Sequence, residues 1–203
     1  MNKSTRGTLM MIGLGAAILL LVIVAIALRP VGEPVGWLVR GAGMVGYVAI
    51  FLAILSSAYM RQLYRLLGRP FLWGHHILSV SGLILIALHP TAHAIETADA
   101  AVFVPRFDSW AIFFELGGRP AAYLIAVASL GALLRRGWRK SWRTIHLLNY
   151  AAFLLATVHA ALIGTDLSQP FLRPIPIAMA LAMVAVFVHK RLGQRRARMR
   201  RAR

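Results

Sequence analysis

Two apolar segments of the chain each contain a pair of histidines 13 or 14 residues apart. Histidine is uncommon in helices buried in lipid, where polar side chains usually face the bundle interior and serve a function. Imidazoles from two facing helices can bind the iron of a tetrapyrrole from its two sides. The spacing therefore predicts two metal centres, one above the other. The candidate ligands are His75 and His89 in segment 71–94, and His146 and His159 in segment 142–164.

The composition is that of a membrane protein. Of the 203 residues, 59% are hydrophobic and 14% are charged, and the mean hydropathy is +0.70. Such a composition excludes a disordered chain and disfavours a soluble domain. The chain has no cysteine, so it offers no thiolate for an iron–sulfur cluster and no thioether attachment for haem. Any haem would therefore be held without covalent bonds to the porphyrin.

Six apolar runs are present, and a membrane helix needs about 20 residues. The first run is expected to be a retained helix, because it is longer than the core of a signal peptide. The sequence thus predicts an all-α integral membrane protein, a single domain over 1–203, with a basic tail at 193–203. The predicted transmembrane helices are 8–28, 41–59, 71–94, 117–134, 144–164 and 174–192.

The basic residues indicate the orientation. Segments on one side of the predicted bundle carry 18 of the 23 Lys and Arg residues, and all six acids fall on the other side. An excess of Lys and Arg marks the cytoplasmic side, so both termini are expected in the cytoplasm of a bacterial or archaeal plasma membrane. This topology explains the net charge of +17 without a nucleic-acid partner. The stretch 107–116 fits an interfacial amphipathic helix and an ordinary loop with aromatic anchors equally well.

The predicted orientation of the helices gives the depth of each histidine in the membrane. The third and fifth predicted helices both run outward, so His75 (or His76) and His146 lie near the cytoplasmic face. His89 and His159 lie near the outer face. At 1.5 Å per residue the two levels are about 20 Å apart. The predicted haem sites therefore lie between helices 3 and 5, and together they would span most of the bilayer.

Rotation about the helix axis tests this arrangement. A spacing of 14 residues returns to within about 40° of the same face, whereas the spacing of 13 between His146 and His159 leaves the second ring about 140° away. Local overwinding or differently oriented haem planes would accommodate the difference. A single membrane histidine can also serve only as a hydrogen-bond partner between helices.

Several further residues are candidates for secondary roles. His75 and His76 compete for one ligand position, and His75 has the better rotation. His93 suits a propionate contact and a polar interface equally well, and His189 is expected to be structural. Cations near the membrane faces could bind haem propionates, although topology alone also explains them. These cations are Arg69 and Arg143 on the inner side, and Arg119 or Arg173 on the outer side.

The motif GAGMVG (41–46) matches the glycine fingerprint of dinucleotide-binding folds. That fingerprint requires a preceding strand and an acidic residue about 20 positions later. Here it opens an apolar helix, and no acid occurs between Glu33 and Glu96. Close helix packing through small residues explains it better.

The stretches RLLGRPFLWGHHILSVSGLILIALHP (65–90) and WRTIHLLNYAAFLLATVHAALIG (142–164) resemble the ferric reductase-like transmembrane domain superfamily. The resemblance covers roughly residues 40–190. It implies six helices and b-type haem, one or two per chain, ligated from the third and fifth helices. On that pattern the axial ligands are His75, His89, His146 and His159. Many members carry a flavin and nicotinamide domain, which this sequence lacks, as do MsrQ-like haem subunits.

The resemblance implies transmembrane electron transfer as the function. The donor would be a separate reductase or a quinol, and flavin or nicotinamide would enter only through a partner. The acceptor would be an outer-side protein, or a ferric or oxygen substrate. One alternative is a stand-alone ferric or oxygen reductase acting at the outer haem. A haem-free transporter or membrane anchor is a further alternative, although transporters usually place charged residues along an intramembrane path.

Overall fold

The computed structural model describes residues 32–67, 71–137 and 141–201, together with 22–28 and a few single positions before them. Within these residues all regular elements are helical and no strand occurs, which confirms the all-α prediction. Two 3₁₀ turns, Ala100–Phe103 and Thr165–Ser168, lie between the helices. The α-helices are α1 (Pro34–Ala58), α2 (Met60–Leu67), α3 (Leu72–Thr97), α4 (Trp110–Glu115), α5 (Gly118–Leu133), α6 (Trp142–His146), α7 (Leu148–Ile163) and α8 (Pro174–Arg201).

Four helical segments among the described residues are long and apolar enough to cross a membrane. They are α1, α3, the combined α6–α7 segment and Pro174–Arg196 within α8. Helix α5 is apolar but has 16 residues, about 24 Å of helix. The first predicted helix, 8–28, lies mostly outside the described residues, of which 22–27 are helical. These four candidate spans are compatible with a multi-pass membrane protein.

The helix bounds differ from the predicted ones at two places. Helix α1 begins at Pro34 rather than at 41, because proline suits the first turn of a helix. Arg40, which the sequence analysis assigned to a loop, lies inside this helix and forms an ion pair there. Helix α8 continues to Arg201, so the described part of the predicted tail 193–203 extends the last helix. Arginine is a good helix former and is favoured near a helix C-terminus.

The helices form two antiparallel hairpins. Helix α1 packs chiefly against α3, and α5 packs against α6 and α7. Helix α8 lies against α7 and α1. We call the end where α1 and α5 finish the basic end, and the opposite end the acidic end. All six acids of the chain lie at the acidic end, as the sequence analysis predicted: Glu33, Glu96, Asp99, Asp108, Glu115 and Asp166.

The two hairpins meet at mid-depth through aromatic and aliphatic side chains. The ring of Tyr47 in α1 stacks on that of Phe153 in α7 with centroids 4.5 Å apart. The Tyr47 hydroxyl and the Thr157 hydroxyl are hydrogen-bonded at 2.7 Å. Ile50 of α1 and Met183 of α8 are buried against the same cluster. This packing fixes α1, α7 and α8 relative to one another between the two histidine levels.

The long connection from α3 to α5 is folded against α5. The guanidinium of Arg119 donates to the carbonyl oxygens of Ala101 and Val104, each at 2.8 Å. The stretch 107–116 contains the short helix α4, and the side chains of Phe107 and Trp110 are 74% and 78% exposed. A short helix with exposed aromatic side chains is suited to a membrane interface.

Candidate functional site

His75 and His146 line one cavity at the basic end of the bundle. Its volume is about 620 Å³, within the range of small-molecule and cofactor pockets. The two imidazoles are close enough for their charges to interact. The two histidines of the predicted inner pair, one from α3 and one from α6 on opposite hairpins, therefore line the same cavity.

Three cationic side chains also line this cavity. Arg143 was among the predicted candidates, whereas Lys190 and Arg191 were counted only as part of the basic terminus. The Lys190 ammonium lies 4.5 Å from the centroid of the Tyr59 ring, and the Arg191 guanidinium lies 5.3 Å from that of Phe187. Both contacts are within cation–π range. The sequence signal for them is their position within one turn of Phe187, which also lines the cavity.

His89 and His159 lie close together toward the acidic end. Their imidazoles are near enough to interact electrostatically. Each ring packs against a glycine of the partner helix in its hairpin. A Cβ on Gly43 would come within 3.0 Å of His89 Nδ1, and a Cβ on Gly118 within 2.8 Å of His159 Cδ2. Glycine at these positions leaves room for the two rings, which confirms that Gly43 of the GAGMVG motif serves close packing.

All four predicted ligands share one hydrogen-bond arrangement: Nδ1 faces a backbone carbonyl oxygen from the other arm of the same hairpin. A carbonyl oxygen can only accept, so each such bond requires the proton on Nδ1. The Nδ1-to-carbonyl distance is longest for His146, whose Nδ1 also lies 3.3 Å from the Asn149 amide nitrogen, a donor that requires the other tautomer. The pairs are His75 with Ala53 at 3.0 Å, His89 with Val39 at 2.9 Å, His146 with Ala128 at 3.3 Å and His159 with Glu115 at 2.8 Å.

Where Nδ1 donates to the carbonyl, Nε2 is the unprotonated nitrogen of the neutral ring. A histidine that binds metal usually donates its other ring N–H to a carbonyl or carboxylate, which fixes the tautomer and the ring orientation. The same bond would also satisfy an imidazole that served only to join helices. The arrangement at four rings, in two facing pairs, favours ligation.

In each hairpin the spacing between the two histidines equals the spacing between the two carbonyl groups that accept their hydrogen bonds. In the first hairpin the acceptors are 14 residues apart (39 to 53), as are the histidines (75 to 89). In the second hairpin the acceptors are 13 residues apart (115 to 128), as are the histidines (146 to 159). A histidine helix with a spacing of 14 or of 13 therefore faces a segment whose acceptor carbonyls have the same spacing.

A break in the fifth span accommodates the shorter spacing. The α-helix is interrupted at Leu147, between α6 and α7. There Leu147 N–H bonds to the Thr144 carbonyl at 3.1 Å, and Tyr150 N–H bonds to the Leu147 carbonyl at 3.0 Å. These i to i−3 bonds are those of a 3₁₀ turn, which has three residues per turn and is therefore overwound. Overwinding was one of the two solutions that the sequence left open.

The secondary candidates have different surroundings. His76 is exposed, and its ring lies beside that of His75 with centroids 5.9 Å apart. His93 is exposed and pairs with Glu96 through Nδ1 at 3.2 Å, near His89 and His159. Arg69 lies outside the described residues.

The side chains around the inner cavity are compatible with a haem. Within the described ranges no group of three or more His, Asp or Glu side chains could hold a metal ion. A haem needs only two axial protein ligands, because the porphyrin supplies the others. Two imidazoles, a cavity and the cations that line it are features that could hold a propionate-bearing porphyrin.

One family model matches residues 35–166, about two thirds of the chain. It is described as a domain of unknown function, DUF8596. The chain belongs to this family. The matched range contains all four candidate ligands and the two hairpins, whereas α8 lies outside it. No curated protein and no solved structure matches the chain.

Proposed function

We propose that this chain is a membrane haem subunit that carries electrons from a donor at the basic, cytoplasmic end to an acceptor at the acidic, outer end. Its six spans would comprise the four long segments, α5 and the first apolar segment. His75 and His146 would hold an inner b-type haem, and His89 and His159 an outer one. This places the chain functionally beside the ferric reductase-like transmembrane proteins that it resembles.

The observation that carries the proposal is the shared Nδ1-to-carbonyl bond at all four histidines. Each bond orients one ring and leaves its Nε2 available as a ligand. His75 and His146 line one cavity at the basic end, and His89 and His159 lie nearer the acidic end. A set of unrelated structural histidines would have no reason to repeat this arrangement at matched spacings in two hairpins.

The chain's own residues would bind, orient and enclose the cofactor. Bound haem supplies an iron that takes up and releases one electron at a time. The inner cavity provides Arg143, Lys190 and Arg191 for carboxylate groups. Phe153, which is 1% exposed, and its neighbours fill the space between the two histidine levels and exclude water from the bundle centre.

A reduced-minus-oxidised spectrum of membranes containing the chain, with haem quantified per purified chain, tests the proposal. We expect a b-type α-band and about two haems per chain, each with two histidine ligands. The paired variant His89→Ala/His159→Ala should lose the outer haem, and His75→Ala should lose the inner one. Absence of haem from the wild-type chain would refute the proposal.

His76→Ala and His189→Ala are matched controls, because these histidines lack the Nδ1-to-carbonyl bond among the described contacts. Both variants should keep the full haem content. If His76→Ala lost the inner haem while His75→Ala kept it, the assigned ligand would be wrong. Rapid reduction of a ferric chelate or of oxygen by the purified chain alone would favour the stand-alone reductase over a relay.

A further inference from the structure

Arg40 in α1 and Asp166 in the 3₁₀ turn after α7 form a buried ion pair at the acidic end. Nε of Arg40 donates to Oδ2 of Asp166 at 3.1 Å, and Nη2 donates to Oδ1. The two side chains are only 12% and 9% exposed. Two parallel bonds between a guanidinium and a carboxylate fix orientation as well as distance. Nη2 also donates to the Ala25 carbonyl at 3.3 Å, so the pair contacts three segments.

This pair is connected along the chain to the positions of both outer histidines. Val39, whose carbonyl accepts the hydrogen bond from His89, directly precedes Arg40. Asp166 follows His159 by seven residues, just beyond the end of α7. The ion pair therefore joins the helical turn that orients His89 to the end of the helix that carries His159. These two helices belong to different hairpins.

We propose that Arg40 and Asp166 are a positioning pair for the outer haem site, an inference that rests on the proposed function. A buried ion pair contributes little net stability compared with an apolar replacement, but loss of one partner leaves an uncompensated charge. In this proposal the ion pair fixes the distance between the turn of α1 that binds His89 and the C-terminal end of α7. The inner site has its own contacts around the cavity and does not depend on this pair.

The experiment compares Arg40→Gln and Asp166→Asn with wild type in the full-length chain purified with its haem. Haem per chain, the reduction potential of each centre and thermal unfolding are measured. We expect the outer centre to be lost or shifted in potential, with haem per chain falling from about two toward about one, while the inner centre keeps its potential. Arg106→Gln is the matched control, because Arg106 forms an exposed ion pair with Asp108 at the same end.

Three results would overturn the inference. The first is that Arg40→Gln leaves the haem content and potential of both centres unchanged, and the second is that it changes both centres equally. The third is that Arg106→Gln alters the outer centre as much as Arg40→Gln does. If Arg40→Gln does not accumulate in the membrane, Asp166→Glu and Arg40→Lys carry the test, since each keeps the charges but alters the geometry. An outer centre unaltered in both would likewise contradict the inference.

Different measurements refute the proposed function and the positioning role of the ion pair. Absence of haem from wild type refutes the proposed function itself. Two haems in wild type and an unchanged outer centre in the variants refute only the positioning role of Arg40 and Asp166.

Discussion

At the scale of single residues, the hydrogen-bond partner distinguishes a candidate ligand from an ordinary histidine. His75 and His76 are neighbours in sequence, yet only His75 lines the cavity and has its Nδ1 on a carbonyl of the facing helix. His93 has a carboxylate partner instead and stands exposed at the helix end. A ring can be poised for ligation only where its second nitrogen is held in place.

The cations of the inner cavity lead to a prediction at this scale. Replacing both Lys190 and Arg191 by glutamine should weaken retention of the inner haem and lower its reduction potential, because nearby positive charge favours the form that has gained an electron. A partly exposed ion pair is worth about 0.2–1 kcal/mol, so the loss of two such contacts lowers the affinity by up to roughly thirtyfold. Haem titration of the purified chain measures the affinity, and a redox titration measures the potential.

Arg195 and Arg196 provide the control for this prediction. They lie on the same helix, are exposed, and are not among the residues that line the cavity. Arg195→Gln/Arg196→Gln should keep wild-type haem affinity. An equal loss in both double variants would mean that general positive charge, rather than contact with the cofactor, is responsible.

At the scale of elements, the alignment of the two arms of each hairpin determines where the imidazole rings lie. The first hairpin keeps a spacing of 14 along both arms, whereas the second shortens both arms by one residue. The 3₁₀ turn at Leu147 rises about 2.0 Å per residue instead of 1.5 Å, so the histidine arm covers the same length with fewer residues. The other arm has its own irregularity at Leu116 and Gly117, between α4 and α5.

The glycine contacts of the outer rings can be tested at this scale. In Gly118→Ala the new Cβ would lie 2.9 Å from His159 Nε2, so the ring must move. Overpacking of this kind costs about 1–3 kcal/mol, and we expect loss of outer haem without loss of inner haem. Haem per chain and the spectrum of each centre give the result.

Gly193→Ala serves as the comparison for Gly118→Ala. A Cβ at Gly193 would meet nothing within 4 Å, and alanine favours helix by about 1 kcal/mol over glycine. This variant should hold as much haem as wild type. An unaltered outer centre in Gly118→Ala would show that the ring is free to shift without loss of the site.

At the scale of the whole molecule, charge separates the two ends of the bundle. The acids gather at one end, and the cations of α2 and of the end of α8 gather at the other. In a membrane this asymmetry predicts that the basic end faces the cytoplasm. The proposed direction of electron flow depends on that orientation.

The absence of native cysteine makes the orientation directly measurable. Val104→Cys and Met199→Cys place single thiols at opposite ends, on side chains that are 58% and 61% exposed. In intact cells a membrane-impermeant maleimide should label only Val104→Cys, and permeabilisation should expose Met199→Cys as well. Labelling of Met199→Cys in intact cells would reverse the topology and the proposed direction.

The sequence by itself determined the helical class, the membrane character, the separation of charge and the set of four histidines. These follow from composition and local spacing, which depend on residue type alone. It also predicted the approximate positions of the described spans. It missed the start of α1 at Pro34, because a charged residue such as Arg40 marks a helix end unless a distant partner neutralises it.

Only the tertiary structure decided how the histidines are held. The partners of their Nδ1 atoms lie 18 to 50 residues away, and no local pattern specifies a backbone carbonyl as acceptor. The same holds for the pairing of Arg40 with Asp166, 126 residues apart, and for Lys190 and Arg191 at the cavity. Such contacts arise from the register of antiparallel helices, and register is set by packing across the whole bundle.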